Sequence, residues 1–117
     1  MHINNDLIKI PTINTSAQVN SSYIDTINVN NVIKHGKIVQ FVFRGHVSQN
    51  IQSNTTIMTL PYPPLIGANN FFIQAIGSQY TATTLLWGYI TGGGDLRTNY
   101  IGSGNWIHIN ITYITSA

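Results

Sequence analysis

Ile38-Val39-Gln40-Phe41-Val42-Phe43-Arg44-Gly45-His46-Val47-Ser48 is the stretch that decides how this chain folds. Side chains in an extended chain alternate between two faces, so Val39, Phe41, Phe43 and Val47 fall on one side. Gln40, Val42, Arg44 and His46 fall on the other. A helical period would scatter the same apolar residues around the axis. Just upstream, Lys34-His35-Gly36-Lys37 reads as a tight hairpin turn in which Gly36 supplies the positive φ. Before that turn, Tyr23–Lys34 reads as a partner strand, with Ile27 and Val29 alternating with Asn28 and Asn30.

The pattern continues downstream. A polar loop (Gln49–Thr55) leads to a strand at Thr56–Leu60, and Pro61-Tyr62-Pro63-Pro64 cannot be a central strand. Phe71–Ile76 and Thr83–Ile90 are strands separated by a Gly77-Ser78 break. Thr91-Gly92-Gly93-Gly94-Asp95 is a loop tip before Leu96–Ile101. Gly102-Ser103-Gly104-Asn105 is expected to close a last hairpin into Trp106–Ile114, with Ile107, Ile109, Ile111 and Tyr113 facing inward. Seven or eight short strands between Gly- and Asn-rich turns predict an all-β fold, either a small antiparallel β-barrel or a jelly-roll-like sandwich. No internal repeat is present.

Residues 1–22 are polar and irregular, with Pro11 at their centre, and are expected to form an arm, linker or edge strand ahead of a β-barrel head at 23–117. The spacing of Ile3, Leu7 and Ile10 would suit one short helical turn or a coiled-coil remnant, which Pro11 would stop. The start, MHINNDLIKIPTI, lacks the basic region and long apolar stretch of a signal peptide, so none is expected. No apolar run approaches the ~20 residues of a membrane-spanning helix, and no membrane insertion is expected.

Composition bounds the function. The 117 residues suffice for one domain. Hydrophobic residues make up 43%, but charged residues only 7%, against about 25% in ordinary domains. There is no Glu, so Asn, Thr, Ser and Gln must supply the polar surface. A surface with so little charge predicts that part of it is hidden in an assembly. Lys9, Lys34, Lys37, Arg44 and Arg97 are scattered, without the clustering that phosphate neutralisation needs, which argues against nucleic acid. With no cysteine, disulfides and thiolate metal sites are excluded.

Catalytic chemistry is scarce. Glycoside hydrolysis needs a carboxylate pair at controlled separation, and only Asp6, Asp25 and Asp95 are available. No G-x-S-x-G elbow occurs, and Ser103 reads as a turn residue. His2, His35, His46 and His108 lack metal-ligand spacing. The glycines at Gly92–Gly94 lack the Lys-Ser/Thr ending of a phosphate loop. The N-x-S/T triplets at Asn54 and Asn110 are expected by chance in so Asn- and Thr-rich a chain. An enzyme is not expected, and neither a metal nor any other cofactor is implied.

What remains is a binding constellation. Sugars are held by aromatic faces stacking on the apolar face of the ring and by planar polar groups that reach paired hydroxyls. The outward side of the last strand offers Trp106 and His108, with Asn110 and Thr112 beyond them. Arg97 and Asn99 are expected beside it in the same hairpin, with Asp95 two residues earlier. Arg44 and His46 lie on the non-core side of the Phe-rich strand. Trp106, His108, Asp95, Arg97, Arg44 and His46 are therefore the candidate saccharide-binding residues. Trp87 and Tyr89 share a face one hairpin further back, where Trp87 reads equally as core; for Arg44 and His46 the alternative is a subunit contact.

The order of these elements is similar to the C-terminal head domains of phage tail-fibre and baseplate receptor-binding proteins from phages of Gram-positive bacteria. The resemblance is carried by the hairpin Val32-Ile33-Lys34-His35-Gly36-Lys37-Ile38-Val39 and by Phe41-Val42-Phe43-Arg44-Gly45. It continues through the Thr59-Leu60-Pro61…Pro64 step to the Gly-rich loop and the closing hairpin that ends in Trp106-Ile107-His108-Ile109-Asn110-Ile111-Thr112-Tyr113. It covers about three-quarters of the chain and speaks to fold more than to ligand. It implies a homotrimeric β-barrel head on the virion, at the phage tail or baseplate, that binds host cell-wall polysaccharide and meets other baseplate or tail proteins. Family members often carry longer shoulder or stalk regions, so a head alone or a small accessory protein is expected. The competing expectations are a structural baseplate or virion-decoration protein that makes protein contacts only and, last, a wall-degrading enzyme.

Overall fold

The computed structural model describes residues 11–66, 69–77 and 84–117. The Ile3–Leu7–Ile10 spacing, His2 and Asp6 lie outside the described residues, as do Ser78 and Thr83. Among the described residues the chain is all-β. Its strands are β1 (Thr12–Thr15), β2 (Gln18–Val19), β3 (Ile24–His35), β4 (Ile38–Val47) and β5 (Thr56–Thr59). They are followed by β6 (Asn69–Gly77), β7 (Thr84–Ile90), β8 (Asp95–Thr98) and β9 (Asn105–Ile114). No helix among the described residues is long and apolar enough to cross a membrane.

All nine strands join one antiparallel sheet in the order β1-β3-β4-β9-β6-β7-β8-β5-β2. The pairs β6·β7, β5·β8 and β4·β9 are nested in the sequence, with an isolated Ile51↔Ile101 bridge between the last two. This is one long two-stranded ribbon, folded back on itself and rolled until β6 meets β9, the jelly-roll way of curling a sheet. The first residues described form the two edges of the sheet. β1 pairs with β3 at one edge and β2 with β5 at the other, so the segment 12–19 lies across both edges. The described half of the segment expected to be an arm, linker or edge strand thus supplies both edge strands of the curled sheet.

The expected hairpin at 34–37 is present, with Gly36 at φ 62°. The expected hairpin at Gly102–Asn105 is not. β8 pairs with β7 and β5, while β9 lies between β4 and β6. Residues 99–104 are a bend within one arm of the ribbon: Gly104 is left-handed at φ 86°, but its N–H donates to Val47 O at 2.7 Å. That bond extends the β4·β9 pairing, so the step at 102–105 leads into β9 beside β4 and not back along β8.

Alternation sets the core. Val39, Phe41, Phe43 and Val47 are buried, as the β4 pattern predicts. They meet Ile57, Met58, Ile73, Ile90, Leu96, Ile107 and Ile109 from the rest of the roll. Gly45 occupies the same inward row, and the Phe43 ring fills the space where its side chain would be: a Cβ there would lie 2.8 Å from the ring. Close packing of this kind fixes the outward row of β4 as firmly as the inward one.

Candidate functional site

The outward face of β4 and β9 brings four of the six predicted site residues together. Arg44 stands opposite His108, and His46 opposite Trp106. Because paired positions share a face, the four side chains form one cluster. The His46 and Trp106 rings lie 5.1 Å apart, centre to centre, tilted by 59°, a separation at which aromatic rings attract. The Phe-rich inward row anchors both strands beneath the cluster.

Asp25 joins them, a residue the sequence reading named only as an available carboxylate. The β3·β4 register shifts between Ile24 and Thr26, so Asp25 is the extra residue of a β-bulge beside His46. Bulges re-aim side chains, and here His46 Nδ1 donates to Asp25 Oδ1 at 2.8 Å. That bond is the first cause holding the Asp25 carboxyl below its ordinary 3.8. It also anchors the His46 ring through Nδ1, so that Nε2 is the nitrogen left free of this contact. No local sequence signal marks such a bulge, since it arises from the register between two strands.

His108 is partly buried. Burial first, and then the charge of Arg44, lower its pKa below the ordinary 6.5. At neutral pH its ring is uncharged and offers one donor and one acceptor, the pair that a sugar hydroxyl can use.

Asp95 and Arg97 lie elsewhere. They are on β8, separated from β9 by β6 and β7, so the expectation that they share a hairpin with Trp106 and His108 is overturned. They sit instead with Trp87 and Tyr89. Arg97 faces Tyr89 across β7·β8, its Nε donates to Thr56 Oγ1 at 3.0 Å, and its Nη2 lies 3.7 Å from Asp95 Oδ2. Thr59 Oγ1 donates to the other Asp95 oxygen at 3.1 Å. Tyr89 Oη donates to Asn54 Oδ1, and Asn99 Oδ1 accepts from Trp87 N–H, both at 3.0 Å. Trp87 is 46% exposed, which decides between the core and surface readings in favour of the surface.

At the hairpin end of the barrel, apolar side chains reach solvent. Ile38 and Ile114 stand opposite each other, and both are exposed, as are Leu65 and Ile66. Leu65 N–H donates to Ile114 O at 2.7 Å, which brings the Pro-rich segment to the same place. Among the described residues, no group of three or more His, Cys, Asp or Glu could hold a metal ion. No protein-family profile matches the chain, and no curated protein sequence matches it.

Proposed function

We propose that this chain is a saccharide-binding adhesive domain of a phage tail or baseplate, which holds host-surface glycan without transforming it. The observation that carries this reading is the Arg44–His46–Trp106–His108 cluster, fixed in register on two neighbouring strands over a packed core. It joins an aromatic face to planar donors and acceptors on strands whose register is fixed by the core, with His46 further held by Asp25, and such preorganisation lowers the ordering cost of binding. The phage assignment rests on the resemblance of the 32–39 hairpin, the Phe41–Gly45 strand and the closing 106–113 strand to receptor-binding heads.

Low charge and the exposed Ile38, Ile114, Leu65 and Ile66 support association of copies, read here as a homotrimer. Assembly suits weak sites, because several copies on one particle convert shallow contacts into firm attachment. The same apolar cluster also favours a second reading, a structural virion protein whose exposed side chains meet only other proteins.

Titration with Gram-positive wall polysaccharide separates the two. The adhesin reading expects saturable binding that Trp106→Ala weakens about tenfold, or ~1.4 kcal/mol. Absence of binding to every wall fraction, together with capture of another virion protein, would establish the structural reading instead. Light scattering tests the trimer, and a clean monomer at micromolar concentration would refute it.

A further inference from the structure

The outward face carries one set of side chains twice. At one end stand Trp106, the neighbouring His46 ring, Arg44 and Asp25. At the other stand Trp87, the Tyr89 ring 6.1 Å away, Arg97 and Asp95. Each set is an indole, a second ring, a guanidinium and a carboxylate. Together they use both tryptophans, both arginines and two of the three acidic residues of the chain. In a protein with 7% charged residues, such repetition is a costly use of scarce groups.

The two sets lie on one continuous surface. His108 stands opposite Gln74, and Gln74 opposite Leu85, so a cross-strand row leads from the first set to the strand that carries Trp87. Gln74, Leu85, His108, Ile109 and Asn110 line a hollow of about 300 Å³ between them. The span follows from the register. Trp106 is opposite Ile76 and Trp87 opposite Phe72, four residues away on β6. Two strand spacings (about 10 Å) and four residue steps (about 13 Å) separate the two tryptophan backbone positions by about 16 Å.

That distance exceeds one sugar ring, so a terminal sugar could occupy one set only. We propose that the two sets are subsites of a single strip for an extended, repeating wall polysaccharide. Each Trp-ring pair takes a sugar face of one repeat, and the His108–Gln74 hollow takes the chain between them. Arg97 and Asp95 then belong to the second subsite. This inference rests on the saccharide-binding reading and specifies its ligand as an internal stretch of polymer.

Because each subsite holds one of the two tryptophans, each can be read alone. Trp106→Phe leaves Trp87 as the sole indole, and Trp87→Phe leaves Trp106. Both variants would be titrated by fluorescence with size-fractionated fragments of neutral Gram-positive wall polysaccharide. The strip predicts that fragments long enough to reach both sets bind at least about tenfold tighter than short ones, and that they move the emission of both indoles. Trp87→Ala and Arg97→Gln should each remove that length-dependent gain while leaving short-fragment binding at Trp106 intact. If Trp106→Ala weakens binding but Trp87→Ala and Arg97→Gln change nothing at any length, the strip is refuted and the adhesin reading survives. If no fragment binds any variant, both fall. A Trp87 signal that responds to protein concentration and never to glycan would assign the second set to a contact between copies, again refuting the strip.

Discussion

The side-chain amide of Asn30 holds the backbone of Ala17 from both sides. Asn30 Oδ1 accepts from the Ala17 N–H at 2.9 Å, and Asn30 Nδ2 donates to the Ala17 carbonyl at 2.8 Å. Ala17 is buried in the short step between β1 and β2, where the chain passes from one edge of the sheet to the other. One β3 side chain therefore stands in for the ladder bonds that neither edge strand can make at that point.

Asn30→Ala leaves a buried N–H and carbonyl without partners and should destabilise the barrel by about 1–3 kcal/mol. Chemical denaturation checks this as a fall in midpoint. Asn30→Asp keeps the acceptor, loses the donor, and should fall between the two. A midpoint equal to wild type in the alanine variant would show that the Asn30–Ala17 bonds contribute nothing to stability.

Gly45→Ala tests the inward row of β4. The added methyl would meet the Phe43 ring at 2.8 Å and Thr26 O at 3.1 Å, and overpacking of this order costs about 1–3 kcal/mol. Gly92→Ala, which has open space around it, is the control and should be neutral. Combining Gly45→Ala with Phe43→Leu should recover part of the loss, since the two residues contact each other. Strict additivity in that pair would argue against the Phe43 ring as the obstacle.

These two sites mark where sequence reading succeeds and where it stops. The strand at 38–47 and the turn at 34–37 were legible because alternation and a left-handed Gly36 are local signals. Trp87 was ambiguous because both faces of β7 are apolar: Leu85, Trp87 and Tyr89 point one way, Leu86 and Ile90 the other. Period two then reveals a strand without revealing its inner side. The partners of β8 and β9 were not legible, because a Gly-Ser-Gly-Asn step can reverse a chain or merely bend it. What decides here is a bond from Gly104 to Val47, distant in sequence. Arg44, His46, Trp106 and His108 could each be named from an outward parity, but their meeting depends on the β4·β9 register. Asp25 depends on a bulge, which no pattern within β3 reveals.

The Asp25–His46 contact predicts a pH dependence whose sign is fixed. A carboxyl whose folded pKa lies below its unfolded value binds protons more weakly in the folded state. Its contribution is therefore present above the ordinary 3.8 of Asp25 and is lost as pH falls through the lower folded value. The melting temperature of wild type should exceed that of Asp25→Asn near neutral pH, and the gap should close below about pH 4. A gap that persists at pH 2 would assign the effect to packing at the bulge.

Arg44 and His108, opposite each other on β4 and β9, predict a dependence of the same sign at a higher pH. The His108 pKa is lowered from 6.5, by burial first and by Arg44 second. Between that folded value and 6.5 the unfolded chain holds a proton that the folded chain refuses, so stability rises with pH across this window and is fully present above 6.5. Proton NMR should place the His108 imidazole midpoint below 6.5. Arg44→Gln should raise it only part of the way back, because the larger cause remains. His108→Gln should abolish the stability change in the same window. Glycan affinity should follow the titration: at pH 7 the neutral ring offers a donor and an acceptor, whereas below the folded pKa it becomes a second cation beside Arg44 and loses its acceptor. Binding that weakens on acidification in wild type, but not in His108→Gln, would place this imidazole against the sugar; equal profiles would place it outside the contact.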